Sequence, residues 1–176
     1  PPIRGRVAMG MDPGYRMGCK IAVVDPTGRV LDTTVIYPVA AGEARIAEAR
    51  RTTKALIEKH GVQVIAIGNG TAGRETELFA VEVLREVSQQ GIEVEYMVVS
   101  EAGASVYSAS KLAAQEFPDL DVNLRSAVSI ARRPQDPLSE LVKITPQDVG
   151  AGKYQHHTPP PRRAPELDAR GDARVD

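Results

Sequence analysis

Three apolar runs, residues 7–12, 18–25 and 30–37, follow one another with links too short to hold a helix. Parallel strands need a crossover of a dozen or more residues, whereas antiparallel neighbours can be joined by a tight turn. The runs therefore predict an antiparallel meander. "DPTGRV", residues 25–30, supplies turn residues at the second link. "VLDTTVIY", residues 30–37, is rich in the β-branched residues that suit a strand.

The period then changes. In residues 43–60, Ile46, Ala49, Thr53, Leu56 and Ile57 fall near one face of a helix, and Gly61 marks its stop. "VQVIAIG", residues 62–68, is continuously apolar, as expected of a strand covered on both faces. A helix over about 71–90, a strand over 94–100, a helix over 102–116 and a further helix carrying Leu124, Val128 and Ala131 complete the order β-β-β-α-β-α-β-α. That order predicts an α/β fold: a five-stranded mixed sheet, its first three strands antiparallel, flanked by helices. The chain of 176 residues suffices for one domain with a substantial core. From about residue 157 to 176 it turns Pro-, Arg- and Asp-rich without apolar period, and a disordered tail is expected there. A start without Met suggests a piece of something longer or a processed start.

A formal net charge of −1 excludes a global pull toward nucleic acid, so any such binding needs a local patch. A single cysteine, Cys19, excludes an internal disulfide framework and fits a reducing, cytoplasmic setting. No apolar run approaches the length of a membrane span.

Three carboxylates fall at the ends of elements. Asp12 ends the first strand, where it could hold a turn with Gly14 or ligate a metal. Glu101 follows the strand ending "MVVS", where it could be a solvated first-turn carboxylate or a second ligand. Asp136 precedes Pro137, where it could cap a helix or join the other two. Carboxylates gathered at one sheet edge bind divalent metals and support phosphoryl displacement. "GNGTAG", residues 68–73, lies between strand and helix, either as an anion-binding turn or as a tight connection with Thr71 as N-cap. His60, His156 and His157 show no zinc-ligand spacing.

Taken together, "GMDPGYRMGCKIAVVD", "IAIGNGTAGRETE", "VSEAGASVYSASKLAAQEFPDLDVNLRSAVSIARR" and "QDPLSELVKITPQDVGAGKYQHH" resemble the YqgF-homologous domain of the bacterial transcription accessory protein Tex, over about residues 5–156. The resemblance implies an RNase H-like fold of the RuvC resolvase type. It implies that Asp12, Glu101 and Asp136 are the fold's catalytic, metal-holding carboxylates, with magnesium or manganese as the ion. At the fourth-strand place, where active members carry an acid, this chain has Asn69, whose amide can ligate the metal but brings no charge, which weakens such a site. Met17 and Pro134 also depart from the family's usual residues. The resemblance further implies nucleic acid, RNA or DNA, as partner, and the transcription machinery through a longer protein. Arg74, Lys111, Arg125, Arg132 and Arg133 are the candidates to touch phosphates. The expectation is a nucleic-acid-associated module without strong catalysis. The alternatives are a metal-dependent nuclease and a protein-interaction scaffold.

Overall fold

The computed structural model describes residues 5–102 and 122–135. Within them lie five strands: β1 (Ala8–Asp12), β2 (Cys19–Val24), β3 (Val30–Ile36), β4 (Val64–Gly68) and β5 (Glu95–Val99). Three helices accompany them: α1 (Glu43–His60), α2 (Gly73–Gln89) and α3 (Val122–Ala131), the last followed by a 3-10 turn, Arg133–Gln135. The strands form one sheet in the order β3-β2-β1-β4-β5. β1 pairs antiparallel with β2, and β2 with β3. β4 pairs parallel with β1, and β5 parallel with β4. The mixed sheet with an antiparallel first half is the one expected from the short links. The expected helix over 102–116, together with Lys111, Asp136 and the 157–176 tail, falls mostly or wholly outside the described residues.

Side chains alternate between the two faces of a strand, and the registers fix which share a face. Ala8, Gly10 and Asp12 of β1 lie opposite Val24, Ala22 and Lys20 of β2. Ala8, Ala22, Val24 and Val64 form a buried cluster with Ala127, Val128 and Ala131, so this is the α3 face. Ala66, Met97 and Val99 continue it against Ile130. The opposite face carries larger side chains: Met9, Met11, Ile21, Val23, Ile65, Ile67 and Tyr96, all fully or almost fully buried. α2 covers that face, where the buried Tyr96 hydroxyl donates to the Glu77 carboxylate at 3.0 Å. α1 is tied to α2 by Arg50–Glu82 at 2.9 Å and Lys54–Glu86 at 2.7 Å. At its C-terminal end His60 meets Asp32 of β3 at 3.0 Å.

On the α3 face the helix backbone nearly touches the sheet. A Cβ on Gly10 would stand 2.5 Å from the Ala131 amide nitrogen and still closer to the Ala127 carbonyl oxygen. Glycine at the centre of β1 is what lets α3 lie this close, and the close seat brings the side chains of α3 onto the end of the strand. The apolar period accounts for the helix itself, whereas the closeness depends on a single missing methyl group.

Candidate functional site

The site lies at the C-terminal end of β1, β4 and β5, on the α3 face. Asp12 ends β1, with Lys20 opposite it on β2. One residue back, Met11 pairs with Ile67 of β4, so the next place in the row belongs to Gly68. Gly68 in turn pairs with Val99 of β5. Glu101 stands two residues beyond Val99, in the same alternation, and it folds back. A Cβ on Gly68 or on Gly70 would overlap its carboxylate. The Gly70 amide donates to Glu101 Oε2 at 3.0 Å. The side chain missing at Gly68 leaves room for that carboxylate beside β1. Neighbouring strands stand about 4.8 Å apart.

The turn "GNGTAG" thus already holds an anion, the Glu101 carboxylate. The helix N-cap is Ala72, in the left-handed region at φ 64°, with no capping side chain, so Thr71 does not serve as the cap. Local sequence points to Thr71 because hydroxyls commonly cap helices. Here the turn is held instead by a carboxylate 31 residues away. Asn69 is exposed, and its backbone N–H donates to the Val99 carbonyl at 3.0 Å.

Both carboxyls are half-buried, and both are pushed above the usual carboxylate range. For Asp12 burial is the main cause, countered by a hydrogen bond from Ser126 of α3 and then by the Lys20 ammonium. For Glu101 burial again leads. The Gly70 amide opposes it, the Asp12 charge adds to it, and Lys20 opposes it more weakly. Burial also raises the thiol of Cys19, with Asp12 the next cause, which keeps it neutral. The Tyr15 hydroxyl, from the link between β1 and β2, donates to Glu75 Oε2 in the first turn of α2 at 2.5 Å.

Sequence reasoning singles out Asp12 and Glu101 but misses Ser126 and Lys20. A serine within an apolar helix carries no signal of its own. The antiparallel register that sets Lys20 opposite Asp12 follows from the length of the intervening turn, so for Lys20 the sequence does carry a signal. Of the arginines, Arg74 is exposed in the first turn of α2. Arg132 Nε donates to the Gly28 carbonyl at 3.0 Å, which gives that side chain a structural task. Arg125 is half-buried, its Nε without a hydrogen-bond partner among the described residues. Arg133 lies half-buried in the 3-10 turn.

A magnesium ion takes six oxygen donors in an octahedron and keeps several waters among them, and a two-metal centre needs several carboxylates. The cradle at Gly68 and Gly70 brings Glu101 toward Asp12, but among the described residues no three of His, Cys, Asp and Glu come together. The donors among the described residues, Asp12 and Glu101 with Asp136 lying outside them, are too few for a two-metal centre.

The comparisons with known proteins agree with this architecture. RuvC of Thermus thermophilus, solved in complex with a Holliday junction substrate, superposes with a TM-score of 0.50 at 17% identity, over 72% of this chain and 90% of that one. At that identity the likeness speaks for the fold alone, which is RNase H-like. Protein YhgF of Escherichia coli is 57% identical over 164 residues, 93% of this chain and 21% of that protein. The transcriptional accessory protein Tex of Neisseria gonorrhoeae is 55% identical over 161 residues, 92% of this chain and 20% of that protein. The chain spans about a fifth of the length of these curated relatives. With residues 6–135 matching throughout, the chain belongs to the Tex protein YqgF-like domain family.

Proposed function

We propose that this domain is the nucleic-acid-associated module of a Tex-type transcription accessory protein, and that it does not cleave phosphodiesters efficiently. The observation that carries the second half is the composition of the site. Two half-buried carboxylates share it with a serine and a lysine, and β4 contributes a glycine in their row. Hydrolysis by a metal-bound water requires a tightly held and well-oriented ion. Among the described residues too few negative ligands converge here for that. The first half rests on family membership and on the exposed Arg74, with Arg125 and Arg133 as further phosphate contacts. The transcription machinery is the partner reached through the longer protein, and the cytoplasm is its setting. No helix among the described residues is long and apolar enough to cross a membrane.

The test pairs binding with cleavage. Fluorescence anisotropy on single-stranded RNA, single-stranded DNA and branched DNA is expected to show binding that weakens linearly in log–log salt titrations. Absence of binding at low salt would overturn the nucleic-acid reading in favour of a protein-interaction scaffold. The same substrates incubated with magnesium or manganese are expected to stay intact. Robust cleavage that vanishes in Asp12→Asn would establish a metal-dependent nuclease instead.

A further inference from the structure

The link between β1 and β2 closes on itself at its base. A Cβ on Gly14 would stand 2.8 Å from the Gly18 carbonyl oxygen, and Gly18 lies in the left-handed region at φ 79°. The residues between them, Tyr15, Arg16 and Met17, form an exposed tip at the sheet end where Asp12 lies. Tyr15 is 46% exposed and Met17 63%. Single exposed apolar side chains are ordinary, but here two large ones flank a cation. Among the described residues Arg16 takes part in no salt bridge. A second tyrosine at this sheet end, Tyr37, has its ring covered. It packs where a Gly18 Cβ would be, at 2.8 Å, and the Arg45 guanidinium lies 4.1 Å over its centroid. Tyr15 is the reverse case. Its hydroxyl is held by Glu75 at 2.5 Å, and no cation or ring among the described residues lies over its face.

We propose that the tip is a stacking platform for one unpaired base of a single-stranded nucleic acid, the base lying on the Tyr15 ring and its phosphate on Arg16. Every base has a π face, so an open aromatic ring binds single strands with little regard to sequence. A guanidinium beside it gives the phosphate charge-assisted hydrogen bonds. The polarizable thioether of Met17 packs against the edge of a planar ring. Because Glu75 already holds the Tyr15 side chain, little rotamer freedom is lost on binding. A duplex keeps its bases stacked on one another and offers none to the tip. A protein partner would need a continuous patch of about 800 Å² on each side, whereas this tip is three residues long.

The inference rests on the nucleic-acid reading above and deepens it. The 176-residue chain is titrated into single-stranded RNA, single-stranded DNA and a duplex of the same length, each carrying one 2-aminopurine, whose emission stacking quenches. Tyr15→Ala and Tyr15→Leu are expected to weaken single-strand binding about tenfold, the contribution of one stacked base, and to abolish the quenching at saturation. Having two such variants lets one decide if the other fails to fold. Tyr15→Phe keeps the ring and is expected to keep the quenching. Arg16→Gln is expected to lower the slope of the log–log salt titration by about one. Wild-type binding that both non-aromatic variants reproduce, quenching included, would overturn the platform and leave the nucleic-acid reading standing. Equal losses in Tyr15→Phe and Tyr15→Ala would assign the effect to the hydroxyl and overturn stacking. Equal dependence on Tyr15 with the duplex would overturn the unpaired base. No binding by wild type to any strand would overturn both readings together.

Discussion

The chain contains the pair Asp-Pro at two strand ends, Asp12-Pro13 after β1 and Asp25-Pro26 after β2, and the two aspartates do opposite work. Asp25 turns its carboxylate onto its own loop. Oδ1 accepts from the Thr27 amide at 2.9 Å, the Thr27 hydroxyl at 2.7 Å and the Arg29 amide at 2.9 Å. The Thr27 hydroxyl is the largest of the causes that hold its carboxyl below the usual range. Asp12 faces the sheet end, half-buried, with Ser126 of a distant helix as its hydrogen-bond partner and its carboxyl raised by burial. The same dipeptide makes a turn in one place and a disfavoured charge in the other. What separates them is the surroundings: Gly10 admits α3 over β1, and Asp25 has donors of its own within four residues.

The largest effect that would erase this difference comes from Gly10→Val. Its side chain would meet the backbone of α3 rather than a flexible side-chain tip. A loss of about 3 kcal/mol in urea unfolding is expected, along with loss of the Asp12–Ser126 contact. A stability near wild type would show that the close approach of α3 is not needed. Ser126→Ala is smaller. It removes one hydrogen bond to a half-buried acid, with an expected cost of about 1 kcal/mol. The Asp12 carboxyl should then titrate at still higher pH in a carbon-detected NMR titration.

Amide substitutions at the two aspartates should move stability in opposite directions at neutral pH. Asp25→Asn loses a carboxylate that the folded state favours, so the urea midpoint should fall. Asp12→Asn removes a charge that the folded state disfavours, so the midpoint should rise. Equal signs would break the comparison. The smallest effect is in the pH dependence. A lowered carboxyl contributes stability above its unfolded value of about 3.9, lost as pH falls through the folded value, so the contribution of Asp25 fades in acid. A raised carboxyl carries a penalty at neutral pH that is relieved as pH falls through its folded value. Wild type minus Asp12→Asn should therefore become more favourable on acidification. Urea midpoints of the three proteins from pH 7 down to about pH 2 would show both slopes.

Much of this is legible in the order of the amino acids. The short links between apolar runs specify the antiparallel half of the sheet, and the change of period places α1 and α2 to within two or three residues. Asp12 and Glu101 stand out as acids at the ends of apolar runs. Gly68 and Gly70 are visible in the sequence only as a glycine-rich turn. That their missing side chains make room for the distant Glu101 carboxylate depends on how the chain closes in space. The same holds for Ser126. Nothing within an apolar helix marks one hydroxyl as the partner of a strand-end acid until the packing of α3 on Gly10 is known. Residue type and period are local properties, whereas the environment of Asp12 is assembled from four separate stretches of chain.

The turn at Asp25 is also where α3 is latched. Gln135 Nε2 donates to the Asp25 carbonyl at 2.7 Å and Arg132 Nε to the Gly28 carbonyl, across 110 and 104 residues. Such distant contacts close late, because the loop between them must be ordered first. During synthesis the N-terminal segments emerge before the C-terminal ones. Asp12 and the turn that receives the latch leave the ribosome long before Ser126, Arg132 and Gln135. The acid therefore waits, without its hydroxyl partner, until α3 has been made. A chain stalled before α3 carries both carboxylates but lacks the helix that completes their setting.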